Sequence, residues 1–420
     1  QPRPPKPPRQ PQPPSSVTDP RADRGSPRYR RAIIALFCAG LATMAQMYSP
    51  QGLLPQIGRE FDIDPGSSSW VIGATTIGVA IGTLPWARVS DRLGRVATMR
   101  WAAGIALVLG LTVPFAPTFE TMIVLRGIEG LALGGLPAVA VTALAETVHP
   151  RTLGAAVGSY VAGTTLGGLI GRLVAGAVAD QLGWRLGLAA VAILAAAAAV
   201  AFVFVVPKTA IPQPQGTRIL GGLIANVRNT GVLVLVLQAF LLMGGFVAVY
   251  NTLAFRLEQA PYNLNLMQVS WLFLAYLAGA ISSNWVWRFA RTRPPTGVLL
   301  VCLAVMLGGV GLTMLSPLWA IIVGLVLFTA GFFGAHSIAS GLVGRRAAGR
   351  PGASQAPPLY NLGYYGGSSL LGWAGGTAFA AAGWNGTVAL IAGVTLIAAA
   401  LAWGYARSHG GIAAVDRPAD

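Results

Sequence analysis

Charge is what this chain lacks most: only 10% of its 420 residues are Asp, Glu, Lys or Arg, against roughly 25% in a soluble globular domain. That shortage argues against a soluble enzyme and against a nucleic-acid-binding domain. Cysteine is nearly absent as well. Cys38 and Cys302 lie inside apolar runs, form no CxxC pair and have no neighbouring His at ligand spacing. Neither a metal site, a redox site nor a secreted disulfide scaffold is expected, and both read as packing residues. A phosphate-binding loop, a GxSxG elbow, an HExxH pair and a paired catalytic carboxylate are also missing, which argues against an ATP-driven pump, an enzyme or a bound cofactor. What the chain has instead is apolar bulk. Hydrophobic residues make up 54% and the mean hydropathy is +0.63, more than one buried core accounts for. The composition is that of an integral membrane protein with many spans.

The net charge of +16 suggests nucleic acid until its placement is considered. Eight basic residues and two acids fall in the first 31 positions, and most of the remaining excess sits in short loops between apolar runs. Such loops orient helices in a bilayer rather than face phosphates. Residues 1–29, rich in Pro, Gln and Arg, have almost nothing to bury and are expected to be disordered. They contain no apolar stretch ahead of a small-residue cleavage site, so no signal peptide is expected there.

Twelve apolar segments of spanning length follow, at about 32–54, 68–89, 98–116, 119–143, 153–179, 184–206, 229–250, 268–289, 295–314, 318–342, 357–381 and 384–405. With the N-terminus in the cytoplasm, the cytoplasmic loops hold fourteen basic residues. The other side holds three, Arg59, Arg185 and Arg256, beside six acids (Glu60, Asp62, Asp64, Glu120, Asp180 and Glu258). The bias places both termini in the cytoplasm and the protein in the cytoplasmic membrane. A shift of 200 residues aligns Tyr160 with Tyr360, Gly163 with Gly363, Gly167 with Gly367, Gly176 with Gly376 and Gly183-Trp184 with Gly383-Trp384. The expected fold is therefore all-α: twelve transmembrane helices in two pseudo-symmetric six-helix bundles, 30–206 and 229–406. A linker at 207–228 joins them and a tail at 407–420 follows. Duplicated halves around a midplane site are a mark of secondary transporters.

After the second segment comes Ala87-Arg88-Val89-Ser90-Asp91-Arg92-Leu93-Gly94-Arg95. The positive-inside rule explains its arginines but not Asp91 or Gly94. The run resembles the G-x-L-a-D-R-x-G-R loop of the major facilitator superfamily, with Ala87 for the first glycine and Val96 for the final basic residue. In that family the acid of this loop braces the two halves at the cytoplasmic gate, near the start of the eleventh helix. The resemblance thus implies a gate of Asp91, Arg92, Gly94 and Arg95, which Glu146 and Arg151 in the loop after segment 4 can extend.

Segment 4 carries Arg126-Gly127-Ile128-Glu129-Gly130, similar to the family's R-x-x-Q-G with Glu129 in place of glutamine. A charge at mid-helix costs roughly 2.5–3.5 kcal/mol on insertion scales, and these two sit on one helical face. Either they form an inert ion pair that fixes packing, or Glu129 exchanges protons and Arg126 tunes it. In segment 5, Gly154, Gly163, Gly167 and Gly171 resemble the g-x₈-G-x₃-G-P-x₂-G-G motif of the antiporter branches. Gly168 replaces the proline and Arg172 the last glycine. Small-residue packing is the alternative reading. Arg172 is a third charge in the membrane, and a permanent cation there implies an anionic partner, either Glu129 or the substrate. His336 in segment 10 is either a hydrogen-bonded packing residue or a second candidate proton carrier. Gln46, Gln238, Asn251, Asn284, Asn361, Tyr360, Tyr364 and Tyr365 are polar or amphipathic residues within or near helices. Of these, Gln46, Gln238, Asn251, Asn361 and Tyr364 are expected to line the central cavity with Arg172.

The resemblance covers about residues 30–406 and points to the drug:proton antiporter and arabinose-efflux-type exporters. It implies a monomer that exports a small organic molecule, drug-like or a sugar, in exchange for protons. A proton symporter or uniporter importing a sugar or organic anion is the alternative. The bilayer, the substrate and protons are the expected partners; nucleic acid and metal ions are not.

Overall fold

In a computed structural model, residues 21–207 and 219–409 are described. Most of the tail at 1–29, the middle of the linker at 207–228 and nearly all of the tail at 407–420 lie outside them. The first helix begins at Pro27, with the Ser26 hydroxyl accepting from the Tyr29 amide. Within the linker, Ile219–Val227 is helical.

Eleven helical stretches are long and apolar enough to cross a bilayer among the described residues. Spans 1 to 10 are Pro27–Phe61, Pro65–Leu93, Arg95–Phe115, Phe119–Thr147, Pro150–Leu182, Trp184–Val205, Thr230–Leu257, Leu266–Ala290, Pro295–Leu312 and Leu318–Ala347. The last helix, Ala356–His409, has 54 residues, about 81 Å at 1.5 Å per residue. A hydrocarbon core of about 30 Å cannot take that as one crossing. It breaks at Ala382 and Gly383, where Gly383 has φ +60°, giving span 11 (356–381) and span 12 (384–409). Twelve crossings result.

Polar caps set where the spans start. Asp64 accepts from the amides of Gly66 and Ser67 at 2.7 and 3.1 Å and from the Ser67 hydroxyl at 2.5 Å, with Pro65 at the first helical position. Thr118, His149, Asn229 and Asn265 cap spans 4, 5, 7 and 8 in the same way. Three spans are interrupted: span 1 by a 3-10 turn at Ser49–Leu53, span 4 at Gly134 and span 8 by a 3-10 turn at Leu272–Ala275.

The duplication is visible in the packing. A Cβ added at Gly163 or Gly167 would overlap the carbonyl oxygens of Phe37 and Leu41 in span 1. One added at Gly363 or Gly367 would overlap those of Val236 and Phe240 in span 7. Likewise Gly176 meets Ser270 and Leu266 of span 8, and Gly376 meets Pro65 and Gly66 of span 2. Each contact has its counterpart about 200 residues away, so the halves are related by a pseudo-two-fold. Glycines at four-residue spacing let backbones touch where lipid supplies no hydrophobic drive.

One face carries both ends of the described chain. There Arg31 donates to the Val205 carbonyl at 3.1 Å, Arg100 to that of Val203 at 2.8 Å, and the Ala22 amide to Thr147 at 2.8 Å. This is the terminal face. At the opposite face Arg185 holds Glu60 at 2.6 Å and the carbonyls of Pro114 and Ala116.

Candidate functional site

The 3-10 turn in span 1 ends a helix inside the membrane and leaves the carbonyls of Gln46 and Met47 without helical partners. Arg126 of span 4 satisfies them, donating from Nη1 to Gln46 at 3.0 Å and from Nη2 to Met47 at 2.7 Å. It also donates from Nε to the Val71 carbonyl at 3.0 Å and from Nη1 to Glu129 Oε2 at 2.8 Å. Both side chains are at most 3% exposed. Gly110 of span 3 lies against the Gln46 amide and Glu129 Oε1. The pair therefore sits in a small crevice inside the first half, where it ties spans 1, 2 and 4 together.

Arg172 lies elsewhere, between the halves. Its Nε donates to Gln51 Oε1 at 2.9 Å, Nη1 to the Gly168 carbonyl at 2.6 Å and Nη2 to the Tyr276 hydroxyl at 3.1 Å. The rings of Tyr48, Phe273 and Tyr276 flank the guanidinium at 5.0, 5.0 and 4.7 Å. Gln51 in turn donates to Asn251 Oδ1 of span 7 at 2.8 Å. Arg172 is 3% exposed, and among the described residues its guanidinium has no carboxylate partner. It borders a cavity of about 100 Å³ that Tyr48, Phe246, Tyr276, Phe332, Phe333 and Tyr364 line from both halves.

His336 stands behind that wall. Its Nδ1 is 2.9 Å from the Tyr360 hydroxyl, Phe332 stacks on its ring, and Tyr364 packs at 5.0 Å between centroids. The two candidate proton carriers thus lie in different halves, and neither Glu129 nor His336 bonds to Arg172.

Residues 34–356 match the Major Facilitator Superfamily. The chain belongs to that superfamily. It is 35% identical over 388 residues to the MFS-type transporter YybF of Bacillus subtilis (strain 168), covering 92% of this chain and 96% of that one. It is 36% identical over 378 residues to the inner membrane transport protein YnfM of Escherichia coli (strain K12), covering 89% and 90%. Among solved structures, the bacterial homologue of the human lysosomal transporter Spinster, in its inward-facing, unoccupied conformation, has the same fold. The TM-score is 0.77 at 15% identity, over 94% of this chain and all of that one. The inner relation of twelve spans in two halves is thus that of a major facilitator transporter.

The superfamily's loop after span 2 forms a network within one half. Arg95 donates to Asp91 at 2.7 Å, to Glu146 at 3.1 Å and to the Ser90 hydroxyl at 2.8 Å. Gly94 turns the chain with φ +85°. Arg92 and Arg151 are exposed and stay outside this network. In the helix-5 motif, Gly171 packs on Ala45 as Gly163 and Gly167 do on Phe37 and Leu41, whereas Gly154 has open space around it.

At the opposite face the halves are joined by Arg59 and Glu258, 2.8 Å apart. Burial lifts the Glu258 carboxyl above the usual carboxylate range, against the pull of Arg59. The Ser67 hydroxyl holds Asp64 below it. Deeper, Thr76 meets Ser369 at 2.7 Å, Ser369 donates to the Gly73 carbonyl at 2.8 Å and Tyr48 meets Ser368 at 3.5 Å. These links join spans 1 and 2 of the first half to span 11 of the second.

Of the polar residues expected to line the cavity with Arg172, Tyr364 does so and Asn251 reaches Arg172 through Gln51. Three do not. Gln46 faces Gly110 and the Glu129 crevice, Gln238 donates to the Ala398 carbonyl at 2.6 Å between spans 7 and 12, and Asn361 is exposed. Helix rotation, which residue type does not reveal, turns them away. Gln51 and Tyr276 went unread in the sequence, although Ser49-Pro50-Gln51-Gly52 breaking an apolar segment is a signal for a polar site.

Proposed function

We propose that the chain is a proton-coupled secondary transporter that exports a small organic anion by alternating access across the cell membrane. The observation carrying this reading is Arg172, buried between the halves with neutral oxygens and aromatic rings for partners and, among the described residues, no carboxylate. A guanidinium stays charged, and an unneutralised charge in the membrane is costly enough to mark a substrate path. An anion entering the cavity supplies the missing counter-charge. The surrounding rings give it an apolar wall, so drug-like organic anions suit the site better than sugars do.

The same anion competes for Nη2 with the Tyr276 hydroxyl, so binding loosens a link between halves. Substrate occupancy and conformation are then coupled. Glu129 with Arg126, or His336 with Tyr360, carries the proton. The fourteen-to-three excess of basic residues makes the terminal face cytoplasmic, where Asp91, Arg95 and Glu146 serve the gate. The link at Arg59 and Glu258 closes the far side.

Reconstituted vesicles carrying a pH gradient, offered a panel of organic acids, bases and neutral sugars, test this reading. Anions accumulating against their gradient, by exchange with protons, support it. Accumulation of bases or sugars alone overturns it. Arg172 serves equally well in a proton symporter importing an anion, and the sign of the pH gradient that drives accumulation separates that reading from export.

A further inference from the structure

A large groove lies outside the transport path, on the outer surface of the second half. The terminal-face parts of spans 8 and 9 enclose about 510 Å³ between Trp285 and Phe289 on one side and Val298 and Val301 on the other. Its floor reaches Ser282 and its mouth is Arg293. Ser282 to Ala290, where the helix ends, is about 12 Å of helix rise, and Arg293 lies in the turn beyond, so the groove runs through most of one leaflet of a hydrocarbon core about 30 Å thick. Gly297 leaves the wall open, since a Cβ there would meet nothing within 4 Å.

The rim is basic and locally unopposed. Arg288, Arg291 and Arg293 are exposed, and among the described residues none has an ion pair. From Gln259 to Val415 the sequence contains no Asp or Glu at all. Of the acids near the terminal ends of the first-half spans, Asp91 and Glu146 are both engaged by Arg95, and Asp23 lies just ahead of span 1 in the other half. Arg288 lies 5.4 Å over the Trp285 ring, the amphipathic pairing of a membrane interface. A second groove of about 480 Å³, between spans 8 and 10 at Trp271, Ile281 and Ile322, has no charged residue on its rim.

We propose that the groove between spans 8 and 9 is a binding site for an anionic phospholipid of the terminal-face leaflet. One acyl chain lies along Phe289, Val298 and Val301 down to Ser282, and the phosphate is held by Arg293 with Arg288 and Arg291 beside it. Basic pockets between spans take anionic headgroups in this way. The uncharged groove near the opposite face accepts lipid chains without headgroup preference.

Native mass spectrometry of the full chain, with phosphatidylglycerol and phosphatidylcholine of identical acyl chains, tests the assignment. Wild type retains phosphatidylglycerol preferentially. Arg293→Gln weakens that retention about fivefold, and the triple change R288Q/R291Q/R293Q brings it to the phosphatidylcholine level. Gly297→Leu, with arginines intact, reduces retention of both lipids by filling the groove. Equal retention of the two lipids by wild type overturns the proposal, as does an unaltered preference in the triple variant. Glycerol phosphate, a headgroup without chains, should not compete; if it displaces the lipid at equal concentration, the groove plays no part and the assignment fails. The unfolding temperature of each variant, unchanged because all four positions are exposed, confirms that the fold is intact.

Discussion

Arg172 of span 5 donates to the hydroxyl of Tyr276 in span 8 at 3.1 Å while its guanidinium lies 4.7 Å over the same ring. One residue of the second half thus holds the buried cation of the first by two different interactions. Tyr276→Phe keeps the ring and removes the hydroxyl. A hydrogen bond to a charged group contributes about 1.5–3 kcal/mol, so the link between halves weakens and the face closed here opens more often. Cysteine labelling at opposite-face positions near Glu258 should rise at least severalfold. Unchanged labelling means the bond does not restrain the halves.

The ion pair in the Glu129 crevice makes a separate prediction. Arg126 and Glu129 are both buried and bonded to each other at 2.8 Å. Removing one partner of such a pair costs about 3–5 kcal/mol, and Arg126 also satisfies three backbone carbonyls. Glu129→Gln should lower stability in detergent by at most about that amount, and R126M/E129L by more, because the carbonyls of Gln46, Met47 and Val71 then lose their donor. Downhill substrate movement should survive in Glu129→Gln while accumulation driven by a pH gradient disappears. If accumulation persists at the wild-type rate, the proton is carried elsewhere, and the His336–Tyr360 pair is next to be tested.

The glycine spacing in span 5 divides by position. A side chain at Gly167 collides with the Leu41 carbonyl, and one at Gly367 with that of Phe240. Gly167→Val and Gly367→Val should each cost about 3 kcal/mol, at the upper end of overpacking. Gly154→Ala meets no neighbour within 4 Å and should be neutral within about 0.5 kcal/mol or gain from helix propensity. Thermal unfolding of the three variants checks this, and equal costs at positions 154 and 167 would contradict the packing account.

The opposite face should respond to acid. Burial beside Arg59 holds Glu258 above the ordinary carboxylate range in this conformation, and opening the face returns the group to water. The closed form therefore binds the proton more tightly, so lowering pH favours closure and raising pH through the elevated pKa favours opening. Opposite-face labelling measured against pH should increase toward neutral pH in wild type and flatten in Glu258→Gln. A variant that keeps the wild-type profile rules out this carboxyl as its source.

Much of the architecture was legible because a bilayer leaves a chain few options. Twelve apolar segments, the loop charges and the repeated Gly-Trp corners at 183–184 and 383–384 all follow from solvation and duplication. The partners of Gly163 and Gly363, Phe37 and Val236, keep the 200-residue register to within one residue. The cavity was legible only at Arg172 and Tyr364, with Asn251 one hydrogen bond behind, through Gln51. Gln46 and Gln238 are as polar as Gln51, and only helix rotation separates them. Gln51 and Tyr276 acquire their roles through contacts between halves, which local patterning does not encode. Segment 1 also shows why: its first helix ends at Tyr48, and the Gln46 and Met47 carbonyls at that end are held by Arg126, a partner that local patterning does not reveal.

The central claim is that Arg172 supplies the charge that an organic anion meets between the halves. Its most direct test is anion uptake in vesicles by wild type, Arg172→Lys and Arg172→Gln, with substrate affinity measured from pH 5 to 8. Arg172→Gln should lose at least tenfold in affinity at every pH, with proton dependence unchanged. Arg172→Lys, which keeps the charge but not the fork of donors, should fall between. An Arg172→Gln protein that transports the anion with wild-type affinity would contradict the account.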